Sequence, residues 1–146
     1  MTPRKILHTA AAMAALTLGL GPVATFADPV RTPLDQEVTV GGIGVACTGI
    51  GQTKNDPKWK AYSVKLEFAD AQRALLANEV VAVSSGGSQL LEIACEGPWV
   101  LLKLPAGKDY QVEAHLAQSS AAPRSASIKA PAQGQATFVL TFPDAH

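Results

Sequence analysis

The sequence predicts an all-β fold, a two-sheet β-sandwich of about seven strands, on three observations. Short apolar or alternating runs recur with turn signals every ~8 to 12 residues, no amphipathic helix of useful length appears, and the clearest run alternates strictly. In that run Tyr62, Val64, Leu66 and Phe68 share one face, and Ser63, Lys65 and Glu67 share the other. A closed barrel fits the same pattern, because alternation does not say whether a sheet closes on itself.

The first 27 residues stand apart from the rest. Arg4 and Lys5 form a positive start, Ala10 to Leu20 is an uncharged run, and Thr25-Phe26-Ala27 places small residues at −3 and −1. This is the pattern of a secretory signal peptide over residues 1–27. The apolar run is shorter than the ~20 residues of a membrane span and ends at Gly21-Pro22. The mature chain is therefore expected to be soluble, and periplasmic or secreted. Cutting after Ala27 leaves 12 − 2 = 10 basic and 12 acidic side chains, a net charge of −2. So balanced a surface disfavours binding to nucleic acid or anionic lipid.

Along the mature chain, residues 28–37 contain Pro29 and Pro33 with no periodicity and read as a flexible leader before a domain over 38–146. Val38-Thr39-Val40 starts an extended segment. The glycines from Gly41 to Gly51 then suit turns or bulges better than a ladder. Asp56-Pro57 fits the start of one helical turn. Strands follow at Tyr62–Phe68, Val80–Ser84 and Leu90–Cys95, the last two joined by a Ser85-Gly86-Gly87-Ser88 hairpin turn. Trp99 to Leu104 is nearly all apolar, as a strand covered on both faces requires. Tyr110, Val112, Ala114 and Leu116 alternate with Gln111, Glu113 and His115, Ser125–Ala130 is a short strand, and Thr137–Phe142 closes the domain with Phe138, Leu140 and Phe142 on one side.

The only cysteines are Cys47 and Cys95. In an oxidising compartment they are expected to form a disulfide. The alternatives are two buried free thiols or a pair of metal ligands, for which the remainder of a zinc set is missing.

Four segments in this order, Gly41-Gly42-Ile43-Gly44, Tyr62 to Ala69, Cys95-Glu96-Gly97-Pro98-Trp99 and Leu104 to Ala114, resemble the carboxypeptidase regulatory-like, prealbumin-type domain of small exported proteobacterial proteins. The most specific piece is L-P-x-G-x-Y-x-V-x-A at Leu104 to Ala114, read as a hairpin whose Tyr110 returns to the core. The resemblance covers about residues 40 to 142 and implies a prealbumin-like, noncatalytic accessory or binding module. Where relatives of this kind place acidic residues after GGxG, this chain has Val45-Ala46-Cys47, so no role of those acids carries over. Transthyretin-like hydrolases rely on an end motif of the Tyr-Arg-Gly-Ser type, and this chain ends Thr141 to His146 without it.

The inventory of chemical groups agrees with a protein that is not an enzyme. His115 is expected on an outward face, no G-x-S-x-G elbow is present, and the Gly41 to Ala46 run has neither dinucleotide nor P-loop spacing. Asp56, Asp109 and Asp144 lie apart, so no calcium loop or cofactor is expected. Of the two tryptophans, Trp99 follows a Gly-Pro turn and is expected in the core, whereas Trp59 between Lys58 and Lys60 is expected exposed as a ligand contact. The expected function is a cell-envelope binding or interaction module engaging another envelope protein through a sheet edge or a loop face; the alternative is a carbohydrate or small-ligand binder built on loop aromatics.

Overall fold

A computed structural model describes residues 27–145, so the signal-peptide reading of residues 1–27 lies almost wholly outside the described residues. Ten strands form two packed sheets. The strands are β1 (Val30–Thr32), β2 (Glu37–Val40), β3 (Ile43–Thr48), β4 (Val64–Asp70), β5 (Glu79–Ser85), β6 (Ser88–Cys95), β7 (Trp99–Leu102), β8 (Asp109–Leu116), β9 (Arg124–Lys129) and β10 (Ala136–Phe142). The first sheet runs β1-β6-β5-β8-β9 and the second β10-β4-β7-β3-β2. This is a sandwich, and it has ten strands where the pattern predicts about seven.

The regular stretches fold as their alternation dictates. In β4, Val64, Leu66 and Phe68 are fully buried and meet Val81, Val83 and Ile93 of the other sheet in one core. In β8, Tyr110, Val112, Ala114 and Leu116 are buried while Gln111, Glu113 and His115 are exposed. β7 is the central strand of the second sheet, which explains its unbroken apolar run. The β5–β6 hairpin turns at Gly86 and Gly87, both at positive φ (58° and 80°), as a tight two-residue hairpin turn demands.

Three expectations need correction. The glycine-rich segment carries a full strand: Gly41 and Gly42 take positive φ (58° and 79°) as the turn between β2 and β3, and β3 then pairs with both β2 and β7. Gly41 also meets the Leu90 carbonyl oxygen so closely that an added Cβ would lie 2.3 Å from it. The leader is not loose. Its β1 pairs in parallel with β6, placing Thr32 beside Cys95, and the Asp35 amide donates to the Cys47 carbonyl at 2.8 Å. The Thr48 hydroxyl donates to the Asp35 carboxylate at 2.6 Å, closing the attachment. Finally, Leu104 to Asp109 is a crossover and not a hairpin, because β7 belongs to the second sheet and β8 to the first. The Tyr110 hydroxyl donates to the Pro105 carbonyl at 2.9 Å and holds that crossover in place.

Cys47 and Cys95 form a disulfide, with Cα atoms 5.6 Å apart. Cys47 sits on β3 and Cys95 on β6, so the bond ties the two sheets together across the core.

Candidate binding surfaces

The outer face of the second sheet carries a small core of its own, built from Ala46, Trp59, Tyr62 and Leu101. Two short 3₁₀ turns, Gln52–Asn55 and Pro57–Ala61, fold over that face. Asp56 starts the second turn, accepting the Lys58 amide at 2.9 Å ahead of Pro57. The turn drives Trp59 inward to 5 % exposure, its indole N–H donating to the Thr53 carbonyl at 2.6 Å. Gln135 reaches across from the chain before β10 and donates to the carbonyls of Trp59 and Tyr62 at 2.8 and 3.1 Å.

The expected exposure of Trp59 is therefore overturned, and Trp99, expected in the core, is only partly buried. Trp59 is buried, because the loop that carries it closes onto the sheet, and Tyr62 leaves the β4 core face to join it. Trp99 is half-buried on the outer face, where Lys65 Nζ stands 4.2 Å from its ring centroid. Lys65 also pairs with Glu67 at 2.6 Å. A groove of about 270 Å³ runs between the two indoles, with Lys60, Lys65, Leu101 and Gln135 along its walls. Lys58 Nζ lies 4.4 Å from the Trp59 ring centroid.

Beside this groove, Glu37 on β2 accepts from the Tyr62 hydroxyl and from Lys103 Nζ, both at 2.6 Å. The Lys103 bond first, and the Tyr62 bond second, hold the Glu37 carboxyl below its ordinary range. Burial first, and Glu37 second, push the Tyr62 phenol above its ordinary range. The trio fixes the β2 edge to the sheet, and with both carboxylate and ammonium already engaged it offers no free base.

The four sheet edges differ sharply. β1 is three residues long and carries Arg31, β2 carries Glu37, and β9 carries Arg124 and Lys129. β10 is seven residues long, reads Ala-Thr-Phe-Val-Leu-Thr-Phe, and lies in a stretch from Ala130 to Pro143 without one charged side chain. Charges and prolines are the ordinary devices that keep an edge strand from pairing with another chain, and β10 has neither within it. Val139 at its centre is 57 % exposed, and Phe138 is half-buried at the sheet margin.

A third feature was visible to no motif. Glu79 begins β5 in line with Val81 and Val83, and it is fully buried with neither carboxylate oxygen hydrogen-bonded. Burial pushes it up to about 8. The signal that reveals it is a charged residue falling in the inward register of a strand.

His115 is exposed on β8, and Asp109 and Asp144 are exposed at separate places in the fold. Among the described residues no three His, Cys, Asp or Glu side chains gather into a metal-binding group, and no helix is long and apolar enough to cross a membrane. No protein-family model matches the chain, and a search of curated proteins finds no match. The fold and these surfaces define the class: a disulfide-tied, two-sheet β-sandwich with one uncharged edge and one lysine-flanked aromatic groove.

Proposed function

We propose that the chain is a noncatalytic, exported binding module of the carboxypeptidase regulatory-like kind, working in the periplasm or outside the cell, and that it engages a protein partner by adding a strand at β10. The observation that carries this reading is the undefended β10 edge beside three edges that are short or charged. Strand addition supplies affinity through main-chain hydrogen bonds, so it needs an accessible edge and little side-chain chemistry. The disulfide and the secretory pattern of residues 1–27 support the location.

Site-specific photo-crosslinking in the exported protein tests the reading. A photoreactive residue at Val139 is expected to yield a discrete protein adduct, while the same residue at Ser127 on β9 yields none. Equal labelling at both positions, or none at either, would reject edge binding at β10.

The alternative, a carbohydrate or small-ligand binder, is favoured by the groove beside Trp99, whose ring lies between a lysine and the sheet. With Trp59 buried, the indole available to a ligand is that of Trp99. Glycan-array binding that disappears in Trp99→Ala supports this second reading, and an array blank for the wild-type protein removes it.

A further inference from the structure

The β10 edge points to a particular occupant, and the direction of its backbone groups shows which. β10 runs parallel to β4 with Ala136 opposite Val64 and Phe138 opposite Leu66. The Ala136 amide donates to the Ser63 carbonyl at 2.9 Å, so the even-numbered residues of β10 turn their N–H and C=O groups toward β4. In a parallel ladder the alternate residues then turn both groups the other way. The free hydrogen-bonding groups of the edge are those of Thr137, Val139 and Thr141.

The five residues from Thr137 to Thr141 form a palindrome in chemical type. Thr137-Phe138-Val139-Leu140-Thr141 reads β-branched, large apolar, β-branched, large apolar, β-branched from either end. An antiparallel pairing of two identical strands about a two-fold axis opposes residue i with its mirror position, so a sequence that reads alike from both ends sets like types against each other. With the axis at Val139, each Val139 meets its counterpart, Thr137 meets Thr141, and Phe138 meets Leu140. Val139 and the threonines then fall at hydrogen-bonded positions, where every free N–H finds a free C=O. The side-chain pairs are Val–Val and Thr–Thr on the solvent face, favourable cross-strand neighbours, while on the core face Phe138 falls opposite Leu140, which its own core already buries.

Charge argues the same way. An edge that pairs with itself must not set like charges against each other, and β10 is the edge strand without a charge. Pro131 precedes the strand and Pro143 follows it, so the pairing is confined to the strand between them. We infer that the occupant of the β10 edge is a second copy of this chain, paired antiparallel through Val139 to give a sheet continuous across a two-fold dimer. This rests on the edge-binding reading above and names its partner.

Sedimentation equilibrium of the mature, oxidised protein tests it. The wild type is expected to dimerise reversibly with a micromolar dissociation constant, since an interface of one strand pair lies at the small end of the range. Val139→Pro removes the outward N–H and leaves the β4 ladder intact, so it is expected to weaken association by about tenfold or more. Val139→Lys, which sets two ammonium groups together on the axis, is expected to abolish it, and unchanged circular dichroism confirms that either variant is folded. Val139→Cys is expected to trap a covalent dimer on mild oxidation, and Thr39→Cys on the β2 edge is not. A wild type monomeric at all concentrations, or a dimer that survives both Val139→Pro and Val139→Lys, overturns the inference. If the Val139 photo-adduct is a different protein and the wild type is a monomer, self-pairing fails while edge binding stands. If Val139 yields no adduct and no dimer forms, both fail.

Discussion

Two parts of the same interior are held together in opposite ways. Along β4, Val64, Leu66 and Phe68 point inward and are fully buried, and Leu66 and Phe68 interdigitate with the facing sheet. At the β1 end of the first sheet, the inward row is Thr32, Cys95, Glu79 and Leu116, set side by side in register. There the Thr32 hydroxyl and both Glu79 oxygens are buried without a hydrogen-bond partner. Such groups cost about 1 to 3 kcal/mol each when left unpaired. The β4 region is ordered by packing, whereas the β1 end keeps polar groups in the core next to a covalent tie. The disulfide joins the two sheets in the same row that holds the unpaired polar groups.

Breaking that tie is the most severe test. The Cys47→Ser, Cys95→Ser double variant frees a loop of 48 residues, worth roughly 4 kcal/mol of unfolded-state entropy in the chain model. Chemical denaturation is expected to show that loss, with β-rich circular dichroism retained in the cold. In the native oxidised protein, the two cysteines are expected to resist alkylation until the chain is unfolded and reduced. An unchanged denaturation midpoint would mean that packing alone secures this end.

The packed region breaks differently. Leu66→Ala and Phe68→Ala are each expected to cost about 2 to 5 kcal/mol, because they leave cavities in a close-packed core. Lys65→Ala and Glu67→Ala, on the partly exposed outer face of the same strand, are expected to cost only about 0.5 kcal/mol. Equal denaturation midpoints for the four variants would contradict the register of β4.

How far these regions could be read in the sequence follows from what holds them. The alternation of β4 and β8 is a local signal, and it places the buried residues from Val64 and from Tyr110 onward correctly because packing against one core dictates it, while Tyr62 before β4 departs to the outer face. The Ser85 to Ser88 turn and the cysteine pair are legible for equally local or countable reasons. Strand β1 is not, since its three residues between prolines are ordered only by a partner, β6, more than sixty residues along the chain. Strand β3 was hidden by its glycines, although Ile43, Val45 and Cys47 do alternate into the core. Nor does alternation within a strand say which sheet the next strand joins, so the Leu104–Asp109 crossover resembles a hairpin. The misplaced Trp59 has the same cause: it is buried by a loop folding over the sheet, an event invisible to period-2 reasoning. The missing charge of β10 stands in the sequence, but an uncharged run fits a central strand such as β7 equally well, so the edge position and the free direction of its amides needed the sheet order and the ladder.

The finest separation of the two regions comes from pH. Glu79 has a folded-state value of about 8 against an ordinary 4.5, so between those limits the folded chain holds a proton that the unfolded chain has released. Stability from this group is fully present below pH 4.5 and is lost as pH rises through 8, the reverse of the usual carboxylate behaviour. The slope approaches about 1.4 kcal/mol per pH unit within the window and flattens above it. Glu37, held below its ordinary value, acts in the opposite sense and only at more acid pH, so the two do not overlap. Denaturation midpoints measured from pH 5 to pH 9 are expected to fall for the wild type and for Lys65→Ala alike, since an outer-face change in the packed region leaves the carboxyl untouched. Glu79→Gln, which keeps the shape but cannot ionise, is expected to remove most of the fall. A wild-type stability flat over that range would show that Glu79 ionises freely in the folded protein and finds partners there, and the contrast between an apolar and a polar interior would lose its energetic meaning.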